Sequence, residues 1–72
     1  MFAVLEIQTS SEGNMAVLCS THDSMNAALS KFYQTMISAT QSSVYQHTVA
    51  IMDNVGQIVK KETVFHEVNG NE

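Results

Sequence analysis

A chain of 72 residues with seven acidic residues, three lysines and a formal net charge of −4 holds one domain at most, and buries only about 60% of the surface that its unfolded form exposes. The acidic balance, and the absence of arginine, remove the electrostatic footprint that a phosphate backbone requires, which excludes nucleic acid as a partner. The single cysteine, Cys19, excludes a disulfide scaffold and fits a reducing compartment, leaving oligomerisation as the remaining support for so small a core.

The opening MFAVLEIQ reads as a strand. Its apolar run is too short for the core of a signal peptide, lacks a basic leader and is broken by Glu6, so no export or membrane segment is expected and the location expected is cytoplasmic. Phe2 to Gln8 is rich in strand formers, SSEG at 10–13 interrupts it, and Met15 to Ser20 resumes an apolar run of strand length, which predicts a hairpin. Ser first and Gly fourth suit a type I turn closed by a left-handed glycine and a G1 bulge.

Residues 23–44 contain neither Gly nor Pro, and Asp23 or Ser24 is placed to cap the free N–H groups of a first turn. One helix of about 19 residues is predicted there. Met25, Ala28, Leu29, Phe32, Met36 and Ala39 fall on one stripe, which Tyr33, Ile37 and Thr40 widen to roughly half the circumference at 100° per residue. Two more strands follow, Tyr45 to Met52 and Gln57 to His66, separated by DNVG at 53–56. The Asp-Asn-x-Gly order could be mistaken for a calcium loop, but Val55 stands where an oxygen ligand would be needed, and the backbone demands of a turn account for the residues without a metal.

The fold expected is therefore α+β in the order ββαββ: a four-stranded, largely antiparallel sheet with one long helix packed on one face, a single domain over 1–68 and a disordered tail over 69–72. Turn register places Leu5, Ile7, Val17 and Cys19, with Val49, Ile51, Val59 and Phe65, under the helix. The other face then carries Phe2, Val4, Ala16 and Leu18, with Ala50, Met52, Ile58 and Val64, interrupted by Glu6, Lys60 and Glu62. A sheet covered on one side alternates apolar and polar residues more cleanly than this. Self-association as a homodimer through Phe2, Val4, Leu18, Ile58 and Val64 is the expectation that follows, with Lys60 of one chain approaching Glu6 or Glu62 of the other.

The chemistry-bearing inventory is thin. Cys19 and His22 form a C-x-x-H pair with no second pair to complete a zinc site. Nucleophilic catalysis by Cys19 would need a base and an accessible, electropositive setting, whereas its parity places it opposite Leu5 in the core, as packing. His47 falls on the helix-facing side of its strand beside Val49. No G-x-S-x-G or phosphate loop is present. No catalytic residue, no metal ligand and no cofactor are expected, and the protein reads as a non-enzyme.

One feature exceeds this plain reading. Across residues 24–43 the sole charged side chain is Lys31, whereas an ordinary surface is about a quarter to a third charged. Loss of charge marks the interior of an interface, so the outer helix face, with Ser30, Tyr33, Gln34, Ile37, Ser38 and Gln41, is expected to meet a protein partner.

FAVLEIQT and SSVYQHTVAIMDNVGQIVKKE together resemble a group of small phage and prophage proteins of Firmicutes that open with a Y-A-V-L-E-I-Q-like strand and carry a D-x-x-G hairpin after an alanine-rich helix. The resemblance covers most of the chain, in strand and turn residues, and supplies no catalytic positions. It implies an inhibitor of a host defence component, anti-CRISPR-like, acting by protein–protein contact. The alternative is a homo-oligomeric scavenger of a small anionic or nucleotide ligand, with Lys60, Lys61, His47 or Tyr45 near the site; the lack of arginine weighs against tight phosphate recognition.

Overall fold

The computed structural model describes residues 1–66; the end of the expected domain, at 67–68, and the expected tail at 69–72 lie outside the described residues. Strands β1 (Phe2–Thr9) and β2 (Met15–His22) precede helix α1 (Met25–Thr40), and β3 (Gln46–Met52) and β4 (Ile58–Phe65) follow it. The four strands form one antiparallel sheet in the order β2-β1-β3-β4, so the first and third strands are central and the hairpin partners form the edges.

Both hairpins close as the residue pattern dictates. In the first, the Ser10 carbonyl accepts from the Gly13 N–H at 2.9 Å, while Ser10 Oγ accepts from the Asn14 N–H at 3.1 Å. In the second, Asp53 Oδ1 accepts from the N–H groups of Val55 and Gln57 at 3.0 and 2.8 Å, so the carboxylate is spent on the turn. Gly13 and Gly56 have φ of 91° and 86°, the left-handed region that glycine enters at least cost.

Helix α1 starts at Ser24, whose Oγ accepts from the Ala27 N–H at 3.1 Å, satisfying one of the free donors of the first turn. At its other end no basic residue lies in the last turn. His66, just beyond β4, supplies a donor instead: its Nε2–H donates to the Ala39 carbonyl at 2.6 Å, joining the helix C-terminus to the end of the edge strand.

The core lies between α1 and the two central strands. Val4, Ala28, Phe32, Val49 and Ile51 form the buried cluster, with Phe2, Met25, Leu29 and Met36 packed against it. The predicted helix stripe is thus the one that faces the sheet, and Val49 and Ile51 lie under it as expected. The first hairpin is inverted relative to expectation. Residues directly opposite in antiparallel strands share a face, and β1 pairs with β3 so that Val4 meets Ile51 and Glu6 meets Val49. Phe2, Val4 and Glu6 therefore go under the helix, and Leu5 and Ile7 go to the open side.

The consequences run across the sheet. Val17 and Cys19, paired with Ile7 and Leu5, stand on the open face and are exposed. Leu18, paired with Glu6, takes the helix side, as does Val64, paired with His47. Phe65 is 63% exposed on the open face. A register shift at Met52 admits one extra residue in β4, so that Ile58 and Val59 both lie against Met52 at the strand end. The proposed self-association set of Phe2, Val4, Leu18, Ile58 and Val64 is consequently not one free patch: Val4 is buried in the core and Phe2 packs against it.

Because a Cβ at position 56 would meet nothing within 4 Å, Gly56→Ala should lose stability only through backbone conformation, by about 1–2 kcal/mol. Urea denaturation should show that loss for Gly56→Ala and a smaller one for Gly56→Asn, which tolerates the left-handed region better; equal stability of all three would contradict the turn.

Candidate functional site

Three surfaces separate on this scaffold. The first is a polar groove where α1 leaves β2 uncovered. Val4, Glu6, Leu18, Cys19, Ser20, Lys31 and Thr35 line a space of about 150 Å³, and Glu6, Lys31 and Thr35 with Gln34 and Ser38 line its extension along the helix.

At its floor Glu6 is held from below. His47 is buried, 2% exposed, and its Nδ1–H donates to Glu6 Oε2 at 2.7 Å. The ring's other nitrogen, Nε2, is buried and meets no hydrogen-bond partner among the described residues; the His66 ring stands edge-on to His47 with centroids 6.0 Å apart. A carboxylate and an imidazole beneath a helix can bind a proton or orient a polar group. Among the described residues neither makes a hydrogen bond to the hydroxyls of the groove, since Ser20 Oγ meets His22 and Thr35 donates to the Lys31 carbonyl, and no three His, Cys, Asp or Glu side chains converge on a common point.

The expected placement of His47 beside Val49 on the helix side is therefore correct, while its partner was not legible, because Glu6 lies 41 residues away. Cys19 and His22 are divided by strand alternation: Cys19 is on the open face and His22 on the helix side, where its Nε2 is 2.8 Å from Ser20 Oγ. Lys60 and Lys61 are divided in the same way. Lys60 lies over the rings of Phe32 and Tyr33, at 5.5 and 5.7 Å from their centroids, and Lys61, paired with Ala50, is on the open face. Tyr45 packs edge-on to Phe65 at 6.0 Å. No single pocket gathers these lysines, His47 and Tyr45. Glu6 and Lys60 are both engaged on the helix side of their own chain, which removes the contact expected between them across a dimer.

The second surface is the outer face of α1. Ser30, Tyr33, Gln34, Ile37, Ser38 and Gln41 are all exposed, as expected, with Tyr33 at 51% and Ile37 at 62%. Gln34 Nε2 donates to Ser30 Oγ at 3.2 Å, so part of the polar arc is tied along the helix. Lys31 stands at its margin, toward the groove.

The third surface is the open face of the sheet. Leu5, Ile7, Val17, Ala50, Met52 and Phe65 lie on it; no helix covers it among the described residues, and Val17 and Phe65 are exposed, Leu5, Ile7 and Met52 half-buried, and Ala50 buried between its neighbours. Lys61 is its sole charge among the described positions.

No family model, curated protein or solved structure matches the chain. Among the described residues, no helix is long and apolar enough to cross a membrane.

The Glu6–His47 bond predicts a pattern in stability. His47→Leu leaves a largely enclosed carboxylate, and Glu6→Leu a buried N–H, without a partner, each costing about 1–3 kcal/mol. The double variant should lose less than the sum, with a coupling of about 1 kcal/mol or more, because two apolar side chains replace two polar ones. Urea denaturation of the four proteins measures this, and additive losses would mean that the bond contributes nothing.

Proposed function

We propose that this protein is a non-enzymatic binding protein, which occupies a protein partner through the outer face of α1. One observation carries the reading: Tyr33 and Ile37, one turn apart, are more than half exposed amid a neutral arc of Ser30, Gln34, Ser38 and Gln41. Tyrosine is favoured where an interface is buried, and charge is depleted there. An aromatic and a branched aliphatic side chain supply apolar area, and the amides and hydroxyls around them supply hydrogen bonds without the desolvation cost of a charge.

The resemblance to small phage and prophage proteins supports a partner among bacterial defence components, met in the host cytoplasm. Inhibition would then follow from occupancy, with the helix blocking a surface that the defence protein needs. The thin chemical inventory agrees with a protein that acts by contact.

The test is phage plating on hosts carrying a defence system, with and without this chain expressed. Expression should restore plating on at least one defended host. The double variant Tyr33→Ala, Ile37→Glu should abolish that effect while keeping the circular dichroism spectrum of the parent and lowering its unfolding midpoint only slightly, through the lost contacts of Tyr33 with Phe32 and Lys60. Plating restored equally by the variant would overturn the assignment to the helix face, and an effect lost on removing Cys19 or His47 alone, with the fold intact, would point to catalysis instead.

A further inference from the structure

We infer that the open face of the sheet is covered by a second copy of this chain, related by a two-fold axis that runs parallel to the strands between β1 and β3. The size of the face is the first argument. Four strands about 4.8 Å apart and seven to eight residues long at about 3.3 Å per residue present a projected area of roughly 480 Å². Side-chain relief makes the accessible area larger than the projection, which brings the face to the total of about 1,000 Å², or about 500 Å² per partner, that a specific interface has to clear. Val17 and Phe65 are 58% and 63% exposed there, and Lys61 lies on the edge strand β4, where its stem can carry the ammonium to the rim.

The relief of the face is the second argument, and it favours this chain over a foreign partner. Along β1 and β3, large and small side chains alternate between the two central strands. Leu5 is paired with Ala50, Ile7 with Thr48, and Met52 with Ala3. Rotation about an axis lying between these strands and parallel to them sets β1 of one copy over β3 of the other at the same level. Leu5 and Ile7 then descend on Ala50 and Thr48 of the second copy, and Met52 descends on Ala3. Each ridge meets a hollow, and the arrangement is self-complementary, as a two-fold requires. The product is an aligned pair of sheets about 10 Å apart with the helices on the outside.

The same operation places β2 over β4 of the second copy. Cys19 is level with Leu5, Ala50 and Lys61, so it comes to face Lys61 of that copy across the gap. The two Cys19 residues, on opposite edges, are kept about 17 Å apart by three strand spacings and the space between sheets.

The native thiol makes this measurable. Sedimentation of the full chain should give the mass of a dimer, and Cys19 should react with maleimide more slowly in the dimer than on dilution to monomer. A short bis-maleimide should join chains of the Lys61→Cys variant, through Cys19 of one and position 61 of the other, and should leave the parent chain unjoined. Val17→Asp, at an exposed position on the edge strand β2, should weaken dimerisation about 10-fold or more, because its short carboxylate cannot reach the rim as a lysine can. Leu18→Lys, one residue on and on the opposite face, should leave it unchanged, which separates loss of the interface from loss of the fold. A monomer at all concentrations, with freely reactive Cys19, would overturn the proposal and leave the face to a foreign protein. A dimer joined efficiently through Cys19 alone, or one dissociated by Leu18→Lys and not by Val17→Asp, would overturn it as well.

Discussion

The pairing of β1 with β3 governs the rest of this molecule. Val49 and Ile51 must go under α1, because they carry the apolar side of a central strand, and antiparallel register then draws Val4 and Glu6 to the same side. Val4 completes the cluster with Ala28 and Phe32. Glu6 follows by alternation alone, and a carboxylate in that position is tolerated because His47, on the neighbouring strand, donates to it at 2.7 Å. The pair is thus less a device added to a core than the electrostatic consequence of choosing one register over its alternative.

That choice also decides which surface the protein shows. With β1 inverted, Leu5 and Ile7 would have been buried and the open face would have carried Val4 and Glu6 in their place, while Glu62 and Lys60, paired with Val49 and Ile51, would have stayed on the helix side. In the observed register these charges lie on the helix side, and the open side keeps Leu5, Ile7, Val17, Met52 and Phe65 with Lys61 as the one charge among the described positions. The burial of polar groups within the domain and the exposure of apolar groups outside it are two results of the same pairing. A sequence this short could have placed them the other way at no cost in hairpin geometry.

The local features were legible because their causes are local. Ser10 and Asp53 bind their own turns, Gly13 and Gly56 hold positive φ, Ser24 caps the helix, and the order ββαββ follows from these boundaries. The helix stripe was legible for the same reason, since its 3.6-residue period needs no partner to be seen. The face of the first hairpin was not. Both parities of FAVLEIQT are apolar enough to be buried, and the odd one, with Leu5 and Ile7, is the more convincing on composition. What decides between them is the alignment of Val4 with Ile51 and the donor that His47 brings to Glu6, across separations of more than forty residues. The exposure of the outer residues of α1 was legible because it follows from the helix's own period; the facing of Phe2, Val4 and Leu18 was not, because it depended on how the first hairpin pairs with β3.

The sheet and the helix thereby acquire different relations to partners. On the proposed reading, a face whose large residues sit beside small ones in adjacent strands would suit its own copy, while the outer arc of the helix, with Lys31 at its margin, would offer Tyr33 and Ile37 as anchors. With a second copy on the open face, the two helices would point away from each other on opposite sides of a four-layer assembly, each with its outer arc free. One dimer would then carry two equivalent binding surfaces facing opposite directions, too far apart and wrongly oriented to grip one small target together. Such an assembly gains no avidity on a single target site; it gains on a target that is itself repeated, or that bridges between copies. The geometry of the sheet thus bears on the kind of partner the helix can use.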